Sequence, residues 1–507
     1  MAKKVKRIFQ KFHQKEIWLF VFLFLTLALL NTIRVGFRAL DHDENLYIAA
    51  AWLLSKGYLP YKDFNFGHPP LQPLLMSIIM KFVSYKLLAF RITNSFLASA
   101  AITIMAYYLF NFGKHKQLNI NLSFLFSICF ALLFFFSTNF IYTSGVSWHH
   151  DLLLFLFTLS LIFFFKRNFF WSGIFLGLSV STRLTSLFIF FGFIFWLFWQ
   201  KREKLFSFLF GFIVGCLPLF VFFILSPIKF ITLNIKRAEA IEAYLYFINK
   251  WHKVASIGGK LHRFKKAIIE PTVLPALIIL LIFLLMLVRN KKSNLEIKII
   301  GLLCPFTIIS IFAPPPLWPQ YLYPLIFLVF LLFTFSLIEL ASSYSNYSPK
   351  KSLLILCILC ILLVSINLYY NSSKYYRSIQ YFFKNPQSSL YIKVHTIGMN
   401  LAKISPPGKI LTLCPLFPIE GDRFIYLYLA DGPFSWRNSL VLKNPEKYGL
   451  LSPQKFLSYL NIDKPGGIFL GCEPSFLEKP FLVWATKNQY QPIDIPPFKV
   501  YIKNDHE

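Results

Sequence analysis

Apolar residues in this chain fall into long blocks separated by short polar joints, most of them basic. A bilayer core takes about 20 apolar residues per helix, and about eleven blocks approach that length. They lie near residues 17–36, 90–111, 120–140, 151–165, 169–182, 185–199, 205–225, 271–288, 297–313, 320–338 and 352–370. Lys3, Lys4, Lys6, Arg7, Lys11 and Lys15 precede the first block. Lys114 and Lys116, Lys166 and Arg167, Lys201, Arg202 and Lys204, Arg289, Lys291 and Lys292, and Lys350 and Lys351 mark later joints. Collecting these cations on the cytoplasmic side gives a self-consistent topology with the N-terminus inside. The joint at 37–89 then faces out, and so does everything after residue 371.

Two segments complicate this topology. Residues 70–86 are apolar but short, contain Lys81 and open with Pro70. Counted as a span they would invert every later loop, so they are read as an interfacial or half-inserted helix. Residues 226–270 form an outer loop with Lys229, Lys236, Arg237, Lys250, Lys253, Lys260, Arg263, Lys265 and Lys266. Long loops translocate largely regardless of charge, so the orientation stands. Such a loop suits anionic headgroups or a phosphorylated substrate. It reads equally well as a solvated amphipathic helix.

Composition agrees with the pattern. The chain is 56% hydrophobic, 19% aromatic and only 15% charged, which excludes a soluble domain of this length. Its net charge of +30 sits in clusters between spans, which favours a membrane topology signal over nucleic-acid binding. No small-residue cleavage site follows the first block, so that block is expected to remain as an anchor. Cys357 and Cys360 form a CxxC inside a span, where packing is their expected role. Cys414 and Cys472 are able to pair if their region lies outside.

The joint at 37–89 holds most of the candidate chemistry. Asp and Glu total 22 residues, yet Asp41, Asp43 and Glu44 stand together directly after the first span. From Glu44 to Lys56 apolar residues recur at helical spacing and Gly57 supplies a stop, predicting a helix along the membrane surface. Acidic groups at its start also suit the helix dipole, so capping competes with catalysis as their role. Asp63 and His68 follow before Pro69 and Pro70. Beyond residue 371 polar residues return, with strand-like runs at 409–414, 467–471 and 498–502 and helical stretches at 453–460 and 475–487. These predict a small extracytoplasmic α/β domain over 371–507 behind a membrane domain over 1–370.

No Walker loop, dinucleotide fingerprint or HExxH is present, so neither a nucleotide nor a redox cofactor is expected. An outward-facing enzyme needs an activated substrate that the membrane delivers, and lipid-linked sugar phosphates are of that kind. Their transfer calls for a base at the acceptor and cations at the departing phosphate. The run Asp43-Glu44-Asn45-Leu46-Tyr47, then Gly57 to Asp63 with Pro60 and Tyr61, then His68-Pro69-Pro70-Leu71, resembles the first outer loop of one family. These are the GT-C polyprenyl-phosphate-sugar glycosyltransferases, in their protein O-mannosyltransferase and aminoarabinose-transferase branch. Arg91, Asp151, the Gly173, Gly177 and Leu178 segment ending at Arg183, and Tyr321 to Pro324 extend the resemblance in order across residues 17–340.

The resemblance implies a GT-C-like helical membrane fold and inverting transfer of a hexose or pentose in one displacement. It makes Asp43 the base, with Glu44 and Asp41 orienting the acceptor or assisting a metal. Tyr47, Asp63, His68, Arg91, Asp151, Arg183 and Tyr321 become substrate-binding candidates. Arg183 is expected to meet a lipid phosphate or to pair with Asp151. Asp41, Asp43, His149 and Asp151 are the groups able to hold a divalent metal. Expected partners are a polyprenyl-phosphate-linked sugar, an acceptor glycan, lipid or protein, and membrane lipids, in a multi-pass protein of the cytoplasmic membrane. Two other classes stay open: a secondary transporter or lipid flippase, and an outer-surface glycan polymerase or ligase working from a late loop.

Overall fold

The computed structural model describes residues 2–289, 294–347 and 350–503. Lys291 and Lys292 lie outside that set, as do the side chains of Lys3, Lys4, Lys6, Arg7, Lys11, Arg289, Lys350 and Lys351. The first helices are α1 (Ala2–Gly36), α2 (His42–Ser55), α3 (Leu71–Met80), α4 (Lys86–His115), α5 (Ile120–Phe135) and α6 (Thr138–Thr143). Then come α7 (His150–Phe165), α8 (Phe169–Thr182), α9 (Leu187–Gln200), α10 (Arg202–Gly215) and α11 (Leu217–Leu225). The basic loop folds as α12 (Pro227–Ile231), α13 (Arg237–Phe247), α14 (Trp251–Val254) and α15 (Ile257–Ile268). Helices α16 (Val273–Arg289), α17 (Leu295–Phe312), α18 (Tyr323–Tyr347) and α19 (Lys350–Lys384) complete the apolar series.

Helices therefore stand in every apolar block. Five are long and apolar enough to cross a bilayer, or up to seven if each bent pair is one span. Helices α5, α7, α8 and α9 run only 14 to 16 residues, short of the ~20 that a full crossing takes. The break between α10 and α11 bends the chain by 50° at Cys216, where Pro218 cannot continue the hydrogen-bond ladder. Between α15 and α16 the bend is 80°. Helix α18 is the buried centre of the bundle, ringed by α4, α5, α16, α17 and α19.

One helix pair is closer than the rest. A Cβ built on Gly173 or Gly177 of α8 would lie 2.2 or 2.3 Å from the carbonyl oxygens of Phe208 and Phe212. On α10, Gly211 and Gly215 meet Phe170 and Ile174 carbonyls at 2.1 Å in the same way. Two small-residue ridges at four-residue spacing thus face each other, and backbone packs on backbone without any side chain between. This contact fixes where α8 ends, and Arg183 is the residue at that end.

The remaining elements are α20 (Leu390–Ile404), β1 (Ile410–Leu411), α21 (Leu416–Glu420), α22 (Pro433–Val441) and α23 (Pro453–Ile462). They are followed by β2 (Gly467–Leu470), α24 (Ser475–Lys487), β3 (Gln491–Ile495) and β4 (Phe498–Ile502). The sheet order is β1-β2-β4-β3, with β1 parallel to β2 and the other pairs antiparallel. Cys414 and Cys472 form a disulfide between the segments that follow β1 and β2. The five other cysteines, Cys357 and Cys360 among them, are free. Helix α19 continues to Lys384, past the composition change at 371, because Asn367, Asn371 and Tyr375 share one buried face. Asn367 and Tyr375 donate to the Leu133 and Phe135 carbonyls at 2.7 and 3.2 Å.

Helix α2 is buried on all sides and lacks the exposed face that its apolar spacing predicts. Every residue from Glu44 to Leu53 is buried. The reason is the C-terminal region, which closes over it: Leu46 to Phe66 and Ile410 to Val500 belong to one apolar core. Ala49, Ala50 and Ala51 leave room for that layer to approach.

The α8–α10 contact gives a direct test. Gly211→Leu should lower the thermal stability of the purified protein by about 1–3 kcal/mol or more through overpacking. Gly258→Leu, at an open position of α15, should leave the melting temperature unchanged.

Candidate active site

The start of α2 sorts the three clustered carboxylates into separate roles. Asp41 is the N-cap: its side chain accepts from the Asp43 N–H at 3.0 Å. In return the Asp41 N–H donates to Glu44 Oε1 at 3.1 Å, completing a capping box. Glu44 is fully buried and pairs with Arg91 on α4 through two bonds, Nη2–Oε1 at 2.6 Å and Nε–Oε2 at 2.9 Å. The Ser147 N–H donates to Glu44 Oε2 at 3.0 Å. Burial pushes the Glu44 carboxyl up, but Arg91 and the two N–H donors hold it below its ordinary value. Both Glu44 oxygens are occupied, so the expected acceptor-orienting role does not fit it. Asp41 likewise caps the helix.

Asp43 is what remains. It is half-buried, and its carboxylate has no hydrogen bond or ion pair among the described residues. Burial, and then the charge of Asp41, push it up to about 7, against the opposing pull of Arg437, His42 and Arg237. Around it stand Tyr47 and Tyr321, both within reach of its charge. The Arg183 guanidinium lies 3.9 Å from the centre of the Tyr321 ring and donates to His150 Nδ1 at 3.4 Å. No carboxylate pairs with Arg183 among the described residues, Asp151 included. His68 stacks on Tyr47 at 5.3 Å, and burial followed by the charges of Arg237 and Arg183 lowers it to about 3. It is a neutral ring at working pH.

Three expected site residues face elsewhere. Asp63 is exposed, and its carboxylate accepts from the Leu59 N–H at 2.7 Å, closing a local turn. Arg91 is buried against Glu44 and also donates to the carbonyls of Val35, Arg38 and Ala39. Asp151 accepts from the Gly145 N–H at 2.7 Å and from the Tyr323 hydroxyl at 3.1 Å, shaping the loop before α7. The candidate metal ligands Asp41, Asp43, His149 and Asp151 do not converge, because Asp41 and Asp151 turn to these separate partners and His149 turns to Tyr47, which leaves Asp43 alone. No group of three or more His, Cys, Asp or Glu residues able to hold an ion occurs among the described residues.

Residues of the basic loop and of the C-terminal region also stand near Asp43. Arg237 on α13 pairs with buried Asp431 at 3.0 Å. Arg437 on α22 is stacked between Tyr244 and Phe434, 4.6 and 4.3 Å from their ring centres, and has no carboxylate partner among the described residues. His42, next to Asp43, bonds Glu473 at 2.7 Å. Nothing local in the sequence ties Arg237 and Arg437 to Asp43; they reach it only through the fold.

This apolar helical bundle, with an acidic helix start under a mixed α/β layer, has the fold of a solved structure. The structure is similar over 96% of its length to 98% of a crystallised chain, with a TM-score of 0.56 at 10% identity. That chain is ArnT from Cupriavidus metallidurans in the apo state. No protein-family model matches the sequence, and no curated protein matches it either.

Two outcomes follow from the site geometry. Arg91→Met leaves Glu44 buried without its partner and should cost about 3–5 kcal/mol, whereas Arg91→Met with Glu44→Leu should recover most of it in thermal melts. Asp43 binds its proton more tightly folded than unfolded, so its contribution to stability declines as pH rises from about 4 to about 7. Infrared difference spectra between the native chain and Asp43→Asn should show a carboxyl titrating near pH 7. Arg437→Gln should move that midpoint to higher pH, since it removes a cation that favours the carboxylate.

Proposed function

We propose that this chain is an integral-membrane glycosyltransferase. It moves a sugar from a polyprenyl-phosphate donor to an acceptor on the outer face of the cytoplasmic membrane, with inversion. The observation that carries this reading is the pairing of opposites in one cluster. Among the described residues a half-buried carboxylate at Asp43 without a partner and a buried guanidinium at Arg183 without a carboxylate both act on Tyr47 and Tyr321. The likeness of the fold to that of ArnT supports it.

In the reaction, Asp43 accepts the proton of an acceptor hydroxyl. The acceptor oxygen forms its bond to the anomeric carbon as the bond to the phosphate oxygen breaks. Polyprenyl phosphate leaves with the bonding electron pair, and the charge it gains meets Arg183. Tyr321 holds the guanidinium by stacking, Tyr47 and neutral His68 wall the cavity, and Glu44 and Asp41 fix the start of α2. A carboxylate that titrates near neutrality is suited to a base, since general-base catalysis works best when the pKa lies near the operating pH. If the acceptor is a phosphate, Asp43 orients it instead of deprotonating it. No step runs through a metal, because the candidate ligands point apart.

The basic joints support an N-terminus in the cytoplasm with residues beyond 371 outside. A disulfide between Cys414 and Cys472 suits that oxidising side. The acceptor class, whether glycan, lipid or protein, is to be found by assay.

The test is incubation of purified protein with a panel of polyprenyl-phosphate sugars, following sugar-dependent release of polyprenyl phosphate in EDTA and in divalent cations. The native chain should turn over at least one donor. Asp43→Asn should lower the rate by roughly 10²–10⁴-fold with donor binding retained. Full transfer by Asp43→Asn would favour a transporter, or a ligase working from the 226–270 loop.

A further inference from the structure

Beside Arg183 lies a second group whose hydrogen-bonding capacity is unmet. His149 is only 4% exposed, and its two ring nitrogens have different surroundings. Nδ1 is bonded to the hydroxyl of Tyr47. Nε2 is buried and has no partner among the described residues. A phenol is the better donor and an imidazole nitrogen the better acceptor, so Tyr47 gives its hydrogen to Nδ1. The neutral ring then carries its own hydrogen on Nε2.

The surroundings hold the ring in that state and in that place. His149 stacks on His150 at 4.3 Å, and His68 and Tyr47 tilt against it at 5.3 Å each. His150 in turn accepts from Arg183 at 3.4 Å. Burial first, and then the charges of the neighbouring rings and of Arg183, disfavour protonation of His149 and His150. Two neighbouring groups are therefore incompletely met among the described residues: a guanidinium with a ring nitrogen as acceptor but no counter-ion, and an N–H without a partner. Their side chains are buried, and an unmet donor there is costly unless something completes it. A tetrahedral oxyanion supplies several acceptor oxygens to one cluster, which a single carboxylate or water does less well.

We propose that His149, its tautomer set by Tyr47, donates its Nε2–H to a phosphate oxygen of the lipid-linked ligand that also pairs with Arg183. This rests on the donor reading above and extends it by one residue. No proton moves on His149 during transfer. Its N–H stays in place while the phosphate gains charge, so the bond strengthens as the sugar departs. Mutation of His149 therefore affects phosphate affinity and turnover but leaves the base untouched.

The experiment measures binding of sugar-free polyprenyl phosphate, and of the corresponding polyprenol, to the purified full chain in nanodiscs. Three proteins are compared. His149→Phe keeps the ring stack and removes the N–H; His149→Gln keeps an amide N–H near the position of Nε2. Phosphate affinity should fall at least about tenfold in His149→Phe, the worth of one hydrogen bond to a charged group. It should stay within about threefold of native in His149→Gln. Polyprenol should bind all three alike. Equal phosphate affinity in native and His149→Phe protein would overturn the role of His149 and leave the donor reading standing. Loss of phosphate and polyprenol binding together would also overturn it, by showing a packing role. Failure of the native chain to bind polyprenyl phosphate at all would overturn the donor reading itself.

Discussion

The site depends on the buried pair between Glu44 and Arg91. Its guanidinium gathers the carbonyls that end α1, its carboxylate closes the cap of α2, and the same carboxylate receives the Ser147 N–H of the loop before α7. Four separate stretches of chain are thereby held around one ion pair. Such a pair adds little net stability, because desolvation offsets most of its attraction, but losing one partner is severe. Its contribution is placement. With the helix start pinned by Asp41 and Glu44, Asp43 is left without a partner and still keeps a fixed position.

Helix geometry explains how neighbouring carboxylates come to differ so much. Successive residues on an α-helix point about 100° apart. Glu44 therefore turns toward α4 and its arginine, while Asp43 turns away from that pair. Asp41, one residue outside the helix, folds back on the first turn. The same reasoning separates His149, His150 and Asp151, which are adjacent in sequence but direct their polar atoms to Tyr47, Arg183 and the Gly145 turn. A metal reading built on adjacency fails for this reason.

The sequence revealed what is local. Unbroken apolar blocks located the helices, and the glycines at 173 and 177 marked a segment whose spacing proved to be a helix contact. Glu44 to Leu53 looked like a surface helix because its acidic start and its Lys56-Gly57 end are those of an interfacial segment. Three small alanines in its middle were the sign that another layer approaches. Arg237 and Arg437 were illegible as site residues. Each is one cation among 52 Lys and Arg, and its nearness to Asp43 arises only when the C-terminal region docks. The missed strand β3 is a hairpin partner of β4 with mostly exposed residues, so it lacks an apolar signature.

The bond between His42 and Glu473 has a bearing on biogenesis. Its partners are 431 residues apart, so at roughly 5–20 residues per second a ribosome makes the second about 20–90 s after the first. For that interval the acidic loop is already synthesised while the arginine of α22 and the glutamate beyond β2 do not yet exist. The apolar bundle is thus able to form well before the α/β layer is complete, and the surroundings of Asp43 are complete only once the last part of the polypeptide docks.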